Sequence, residues 1–334
     1  MEDSKMDKIL ESLLSAFGTS GHEEEVRQII IEELNRVNVA HEVDKMGNVI
    51  VRIGQKKEED RLMLTAHMDT MGVIVTYIDD KGYARVGKIG DFKESLMINT
   101  IVEFENGNSG RVCSAKDDNP KIEDLYIDLG VSSKEEALEL IEEGDVAVFT
   151  SNIIEERNNI IAPFLENRVG CYMLLKTIED LAMNKEIVSN LNSELCFVFS
   201  TQNKVGSRGV RAAAYSLKPT SCIVIDGEEA NDNLGGKGNF KLGEGLGIKF
   251  MDRTLIMHHE IKELLEAAFS KLDKKPHYIF SEKGGDGATI HKEGHGIKTG
   301  TLVYPVRYKD TNLEMISVKD IEAGIEIIRS TILI

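Results

Sequence analysis

The 334-residue sequence has no tryptophan, five prolines and four cysteines. So few prolines leave no room for a proline-rich linker, and no internal repeat or low-complexity stretch interrupts the chain. Cys113, Cys171, Cys196 and Cys222 are widely spaced and form no CxxC pair, which argues against a thiolate metal site or a disulfide framework. Cys196 and Cys222 lie inside apolar runs and are expected as buried free thiols. No apolar run reaches the roughly 18 residues that a membrane span needs. Residues 1–5 open on charge rather than on the apolar centre of a signal peptide, so a cytoplasmic location without a membrane partner is expected. Positive charge is the scarcer sign: 40 Lys and Arg face 57 Asp and Glu, a net charge of −17. That balance argues against nucleic acid as a partner, because phosphate backbones reward basic patches. Solvated helix faces such as residues 135–143 account for much of the acidic excess.

What is present is ordinary for a globular chain: 41% hydrophobic and 29% charged residues, with length enough for a large core. Residues 4–17 place Met6, Ile9, Leu10, Leu13 and Leu14 at helical spacing. Ser20 and Glu23 read as a capping box opening a second helix that buries Val26, Ile29, Ile30 and Leu34. The apolar runs 62–66, 195–200 and 221–225 read as buried strands, and 170–184, 210–216, 260–270 and 318–332 as helices. Between residues 72 and 160 the texture changes. Short β-type runs at 73–78, 100–104, 110–113 and 145–150 are separated by Gly, Asp and Asn turns, with one helix expected over 133–143. The pattern predicts an α/β domain made of residues 1–71 and 161–334, with an all-β insert at 72–160.

The polar clusters sit where apolar runs end, which is where an α/β sheet collects ligands. Leu64-Thr65-Ala66-His67-Met68-Asp69 is the first, and Pro163-Phe164-Leu165-Glu166-Asn167-Arg168 the second. Thr201-Gln202-Asn203-Lys204-Val205-Gly206-Ser207-Arg208-Gly209 follows, then Ile223-Val224-Ile225-Asp226 and Tyr304-Pro305-Val306-Arg307-Tyr308-Lys309-Asp310. This ordered series resembles the M42 family of co-catalytic metallo-aminopeptidases, glutamyl-aminopeptidase-like enzymes of which some members have been labelled endoglucanases. The family's phrases run A-H-M-D-E-I-G, D-N-R-x-G, T-Q-E-E-V-G-x-R-G, a strand-ending Asp, and P-x-R-Y-x-H. The resemblance covers nearly the whole chain, including Ser20-Gly21-His22-Glu23 and the stretch from Asp128 to Ala137. It implies a mixed or mostly parallel sheet flanked by helices, carrying an inserted small β-barrel-like domain. It further implies peptide substrates, metal ions, and homo-oligomers from dimers up to tetrahedral dodecamers assembled through the insert.

The resemblance is broken where the chemistry is done. A two-metal hydrolase needs a bridging carboxylate, further N or O ligands for each ion, and a carboxylate base that takes the proton of the bridging water. By resemblance, His67 and Asp226 match ligands of the first metal, and Asp69 matches the residue that orients the imidazole. Glu166 stands where the family has its bridging Asp, with the carboxylate about 1.5 Å further out. Asn203 stands at the family's general base, and its amide does not titrate. Lys204 replaces a second-metal ligand by a cation, and Asp310 replaces a His ligand of that metal. A lysine ammonium between Glu166 and Asp310 is a plausible electrostatic substitute for the lost ion. Gly284-Gly285-Asp286-Gly287-Ala288 falls where the family carries G-T-D-A, with the Asp moved by one residue.

These positions predict zinc or cobalt at one site at most (His67, Glu166, Asp226) or none, with the second metal absent. The leading expectation is a family homologue whose two-metal peptidase activity is lost or strongly reduced. The alternatives are an active metal-dependent aminopeptidase with a variant site, and another hydrolase such as a glucanase. The latter lacks a placeable acid/base carboxyl pair. Outside these phrases little points to a site. His291 and His295 flank glycines that end a helix. His258 and His259 are adjacent, expected to diverge on a helix surface. Gly235-Gly236-Lys237-Gly238 lacks a full phosphate-loop pattern.

Overall fold

Uninterrupted apolar runs became the interior of one sheet, and alternating runs became a barrel. The computed structural model describes residues 6–55, 59–236 and 238–334; residues 1–5 and Lys237, considered above, lie outside them. Two helices, α1 (Lys8–Ser15) and α2 (Glu24–Arg36), precede strands β1 (His41–Val43), β2 (Val49–Ile53) and β3 (Arg61–His67). Strands β4 (Gly72–Ile78), β5 (Ala84–Ile89), β6 (Ile101–Phe104), β7 (Ser109–Ser114), β8 (Leu125–Asp128) and β9 (Val146–Thr150) follow, with short helices α3 (Glu94–Met97) and α4 (Lys134–Leu138). These six strands form a closed antiparallel barrel in the order β4-β5-β8-β7-β6-β9. Its filling includes Val73, Val75, Phe92, Phe104, Val112, Ile127 and Phe149.

The chain then returns through β10 (Ile154–Glu156) and β11 (Asn159–Ala162) to α5 (Leu165–Met183), α6 (Lys185–Ser189), β12 (Glu194–Ser200), α7 (Arg208–Leu217) and β13 (Ser221–Glu229). It ends with β14 (Gly247–Met251), α8 (His259–Lys271), β15 (His277–Phe280), α9 (Gly287–Ile290), β16 (Lys298–Val306), β17 (Glu314–Ser317) and α10 (Val318–Ile332). Eight strands build a mixed sheet in the order β1-β2-β12-β3-β13-β16-β14-β15, while β10, β11 and β17 form a small sheet beside it. Strands β12, β3, β13 and β16 run parallel, so their carboxyl ends emerge on one edge. All seven residues of β3 and all seven of β12 are buried, which is why they read as unbroken apolar runs rather than alternating ones. Each large apolar side chain buried there contributes about 1.5–3 kcal/mol. Helix α10 lies close against α5 because Gly324 has no side chain: a Cβ there would stand 2.5 Å from Met173 Sδ.

Four local expectations are corrected. The helix starting near residue 4 begins at Lys8, where the Asp7 carboxylate caps it by accepting from the Ile9 N–H. Ser20 and Glu23 do not form a capping box: the Ser20 hydroxyl donates to Asp69 Oδ2 at 2.5 Å, and Glu23 accepts from the Gly21 and Gln202 N–H groups. Ser20 is drawn away by Asp69 beyond β3, and Glu23 by Gln202 beyond β12. The helix expected over 133–143 is only Lys134–Leu138, capped by the Ser133 hydroxyl. His258 is the extended N-cap of α8 rather than a helical residue, so its ring stacks on that of His259 instead of diverging.

No described helix is long and apolar enough to cross a membrane. All four cysteines are buried and unpaired. Burial pushes the Cys171 thiol up to about 12, Cys196 up to about 11, and Cys222 well above its ordinary value. Since the thiolate is the reactive form, native protein should leave Cys171, Cys196 and Cys222 unmodified by an aromatic disulfide reagent at pH 8. All four thiols should react after unfolding in guanidinium; rapid native titration of those three would contradict this packing.

Candidate active site

The parallel register sets the site. His67 ends β3 opposite Ser200 at the end of β12, and β13, paired to the other side of β3, runs on to Asp226. Helix α5 begins with a Leu165–Asn167 stretch that is not helical at Glu166 and Asn167, and the Glu166–Asn167 peptide is cis. Together these elements bring a nitrogen of His67 and carboxylate oxygens of Glu166 and Asp226 within 4.8 Å of one another, all three residues buried. His67 Nε2 is 2.9 Å from Glu166 Oε1 and 4.0 Å from Asp226 Oδ1. Its Nδ1 is held from behind, 3.0 Å from the Asp69 carbonyl oxygen and 3.5 Å from Asp69 Oδ1.

Asp69 does more than orient the imidazole. Its carboxylate accepts from the Ser20 hydroxyl, from Asn203 N–H at 2.9 Å and from Lys204 N–H at 2.8 Å. The loop after β12 is therefore hung from the end of β3. These bonds and His67 outweigh burial and hold the Asp69 carboxyl below its ordinary range.

Lys204 turns inward from that loop. Its ammonium forms an ion pair with Glu166 Oε2 and lies 3.9 Å from Asp310 Oδ1, with the side chain only 11% exposed. A second ammonium, that of Lys309, lies 3.7 Å from Glu166 Oε1 and 3.5 Å from Asp310 Oδ1. Lys283 reaches Asp310 Oδ2 at 2.7 Å from the rim. Burial works against the charges of Glu166, Lys204, Lys309 and Asp310, yet their opposite partners win. Glu166 is held well below its ordinary value by Lys204, Lys309 and His67, and Lys204 and Lys309 are both raised, chiefly by Glu166. His67 is raised to about 10 because the Glu166 carboxylate overrides burial. Asp226 goes the other way, to about 6, through burial and its proximity to Glu166.

Asn203 points elsewhere: its side-chain nitrogen donates to Asp286 Oδ1 at 2.6 Å. Thus His67, Glu166, Asp226, Lys204 and Asp310, named from sequence, share one cluster, while Asp69 and Asn203 flank it. Sequence reasoning passed over Lys309 and Glu314. Glu314 accepts from Glu166 N–H at 2.9 Å and Asp310 N–H at 3.0 Å. Burial and the nearby Glu166 charge raise it to about 8. Lys309 occupies the unspecified position of P-x-R-Y-x-H, beside Asp310, and that adjacency was its only signal.

Known proteins are similar to this chain over most of its length. The sequence profile of the M42 glutamyl aminopeptidases matches residues 47–327. A relative from Acetivibrio thermocellus is 35% identical over 336 residues, covering 98% of both chains. Among solved structures, an aminopeptidase from the archaeon Desulfurococcus kamchatkensis superposes with a TM-score of 0.89 at 27% identity, covering 97% of this chain and 93% of that one. The Pyrococcus horikoshii TET1 peptidase, which can assemble into a tetrahedron or a large octahedral shell, gives 0.87 at 28% identity over 97% and 98%.

Removing one partner of a buried ion pair strands the other. Lys204→Met should therefore lower unfolding stability by about 3 kcal/mol in urea titrations at pH 7. An unchanged midpoint would show that Lys309 alone suffices to balance Glu166.

Proposed function

Because the chain belongs to the M42 peptidase family, we propose that it keeps the family's cleft with a lysine ammonium in place of the second metal ion. Its two-metal aminopeptidase activity is then lost or strongly reduced. The observation that carries this reading is the Lys204 ammonium, paired with Glu166 and 3.9 Å from Asp310. A divalent ion does not fit between those carboxylates while the ammonium lies there, since like charges a few ångströms apart in a dry cleft repel strongly. Asn203 supports the same conclusion, because an amide can hold a water but cannot take its proton. The charges of the cluster balance without any ion: His67, Lys204 and Lys309 face Glu166, Asp226 and Asp310.

The first pocket does fit one ion. His67, Glu166 and Asp226 supply a nitrogen and two carboxylates within 4.8 Å, a donor set suited to zinc or cobalt. A single ion there would supply Lewis-acid polarisation of a bound carbonyl. That cluster favours a second reading, a metal-dependent aminopeptidase that releases N-terminal residues from peptides using one metal. In either reading His67 is oriented by Asp69, Glu166 is shared between the pocket and Lys204, and the cleft receives peptides.

Assembly into homo-oligomers is supported by the TET1 relative, which forms closed shells. We assign the inserted barrel a part in it, as Tyr77, Leu96, Ile101 and Leu138 stand exposed on that module. Light scattering should return a multiple of the chain mass, and a monomer would remove this part of the proposal.

Two measurements separate the catalytic readings. After incubation with excess zinc or cobalt and desalting, the protein should retain at most one metal per chain and turn over aminoacyl anilides poorly. Two metals per chain would refute the lysine substitution. One metal with fast, chelator-sensitive turnover would favour the one-metal enzyme. The double variant Asn203→Glu, Lys204→Glu should gain both a second metal and measurable turnover.

A further inference from the structure

Four consecutive backbone N–H groups of the loop after β12 are each accepted by a side chain from another segment. Thr201 N–H donates to Asn48 Oδ1 at 2.9 Å, and Gln202 N–H donates to Glu23 Oε1 at 2.8 Å. Asn203 N–H and Lys204 N–H donate to the two oxygens of Asp69. All three acceptor side chains are buried. The carbonyl edge of the loop closes on the loop itself: Thr201, Gln202 and Asn203 accept from the Gly209, Arg208 and Gly206 N–H groups. The backbone that carries Lys204 is thus held from outside along its donor edge.

Two of these acceptors have other duties. Asp69 stands behind His67, and Asn48 donates to Asp44 and to the Gly209 carbonyl. Glu23 uses Oε1 for the Gly21 N–H of its own turn, at 3.0 Å, and for Gln202. Gln202 has a φ of 55°, the left-handed region, which a residue with a side chain keeps only when its surroundings hold it. Burial and the Asp69 charge push the Glu23 carboxyl up to about 7, so a carboxylate at this point works against its own ionisation. The buried Arg168 guanidinium, which donates to the Leu13 and Gly18 carbonyls, is a cation facing both Glu23 and Asp69. We infer that Glu23 is a positioning residue for Lys204: by holding the Gln202 amide it sets the loop conformation from which the ammonium reaches Glu166. This rests on the reading that Lys204 pairs with Glu166 in place of a second metal ion.

Acylation by acetic anhydride, followed lysine by lysine with peptide mass spectrometry, reads that reach in the native full-length protein at pH 8. In the wild type Lys204 and Lys309 should both be protected, because Glu166 attracts both as ammonium ions. Glu23→Asp keeps the charge and withdraws the acceptor by about 1.5 Å. Lys204 should then react about tenfold faster, the change in free-amine fraction that follows the loss of one close opposite charge. Lys309, delivered from the end of β16, should stay at its wild-type rate. Glu23→Gln keeps both the reach and an acceptor oxygen, and should retain the wild-type protection of Lys204. A general loosening would expose Lys204 and Lys309 together, and that result would overturn the inference. So would protection of Lys204 that is unchanged in Glu23→Asp, or lost equally in Glu23→Gln. Fast acylation of Lys204 in the wild type would instead refute its pairing with Glu166, and this inference with it.

Discussion

Glu166 has to be neutralised. A carboxylate taken out of water at the mouth of α5 costs several kcal/mol unless cations meet it, and the whole cleft is arranged to meet it. His67 arrives from the end of β3, Lys204 from the loop after β12, and Lys309 from the end of β16. These elements converge because β12, β3, β13 and β16 run parallel in register. Sheet topology thus precedes the chemistry: four strand ends deliver charge to one point before any ligand is considered.

The manner of neutralisation distinguishes this chain from what its family phrases imply. An ammonium and a divalent ion both satisfy carboxylates, but they leave different capacities behind. The ion keeps open coordination positions for water or a carbonyl, whereas the ammonium spends its donors on Glu166 and its neighbours and offers no Lewis acid. Glu166, Lys204 and Asp310 meet one another in the structure, and so do Asn203 and Asp286. On the proposed reading, one set of satisfied partners stands in place of another, since each of these side chains has a partner in the cleft.

Much of this was legible in the sequence. The three interior strands announced themselves as unbroken apolar runs, and the phrases around His67, Glu166, Asn203, Asp226 and Asp310 located the cleft. Periodicity could not see the partners that arrive from far along the chain. Ser20 and Glu23 have the spacing of a cap, yet they bond to Asp69 and to the Gln202 amide, contacts fixed only by tertiary approach. Lys309 was hidden because a single lysine beside an aspartate reads as surface, and only the positive-φ backbone at Tyr308 and Asp310 shows how sharply the chain turns there. Strands β14, β15 and β17 were missed for a related reason: runs of four or five residues are too short for periodicity to tell a strand from a loop or helix segment.

The seam between barrel and sheet is made by Phe17, Ile89, Val146, Val148 and Phe164, with Val205 packed against them. Val205 follows Lys204 directly, and Gly90 of the barrel leaves only enough room for the Lys204 stem, since a Cβ there would lie 3.1 Å from Lys204 Cβ. How the barrel seats on the sheet therefore helps to fix the backbone from which Lys204 reaches toward Glu166.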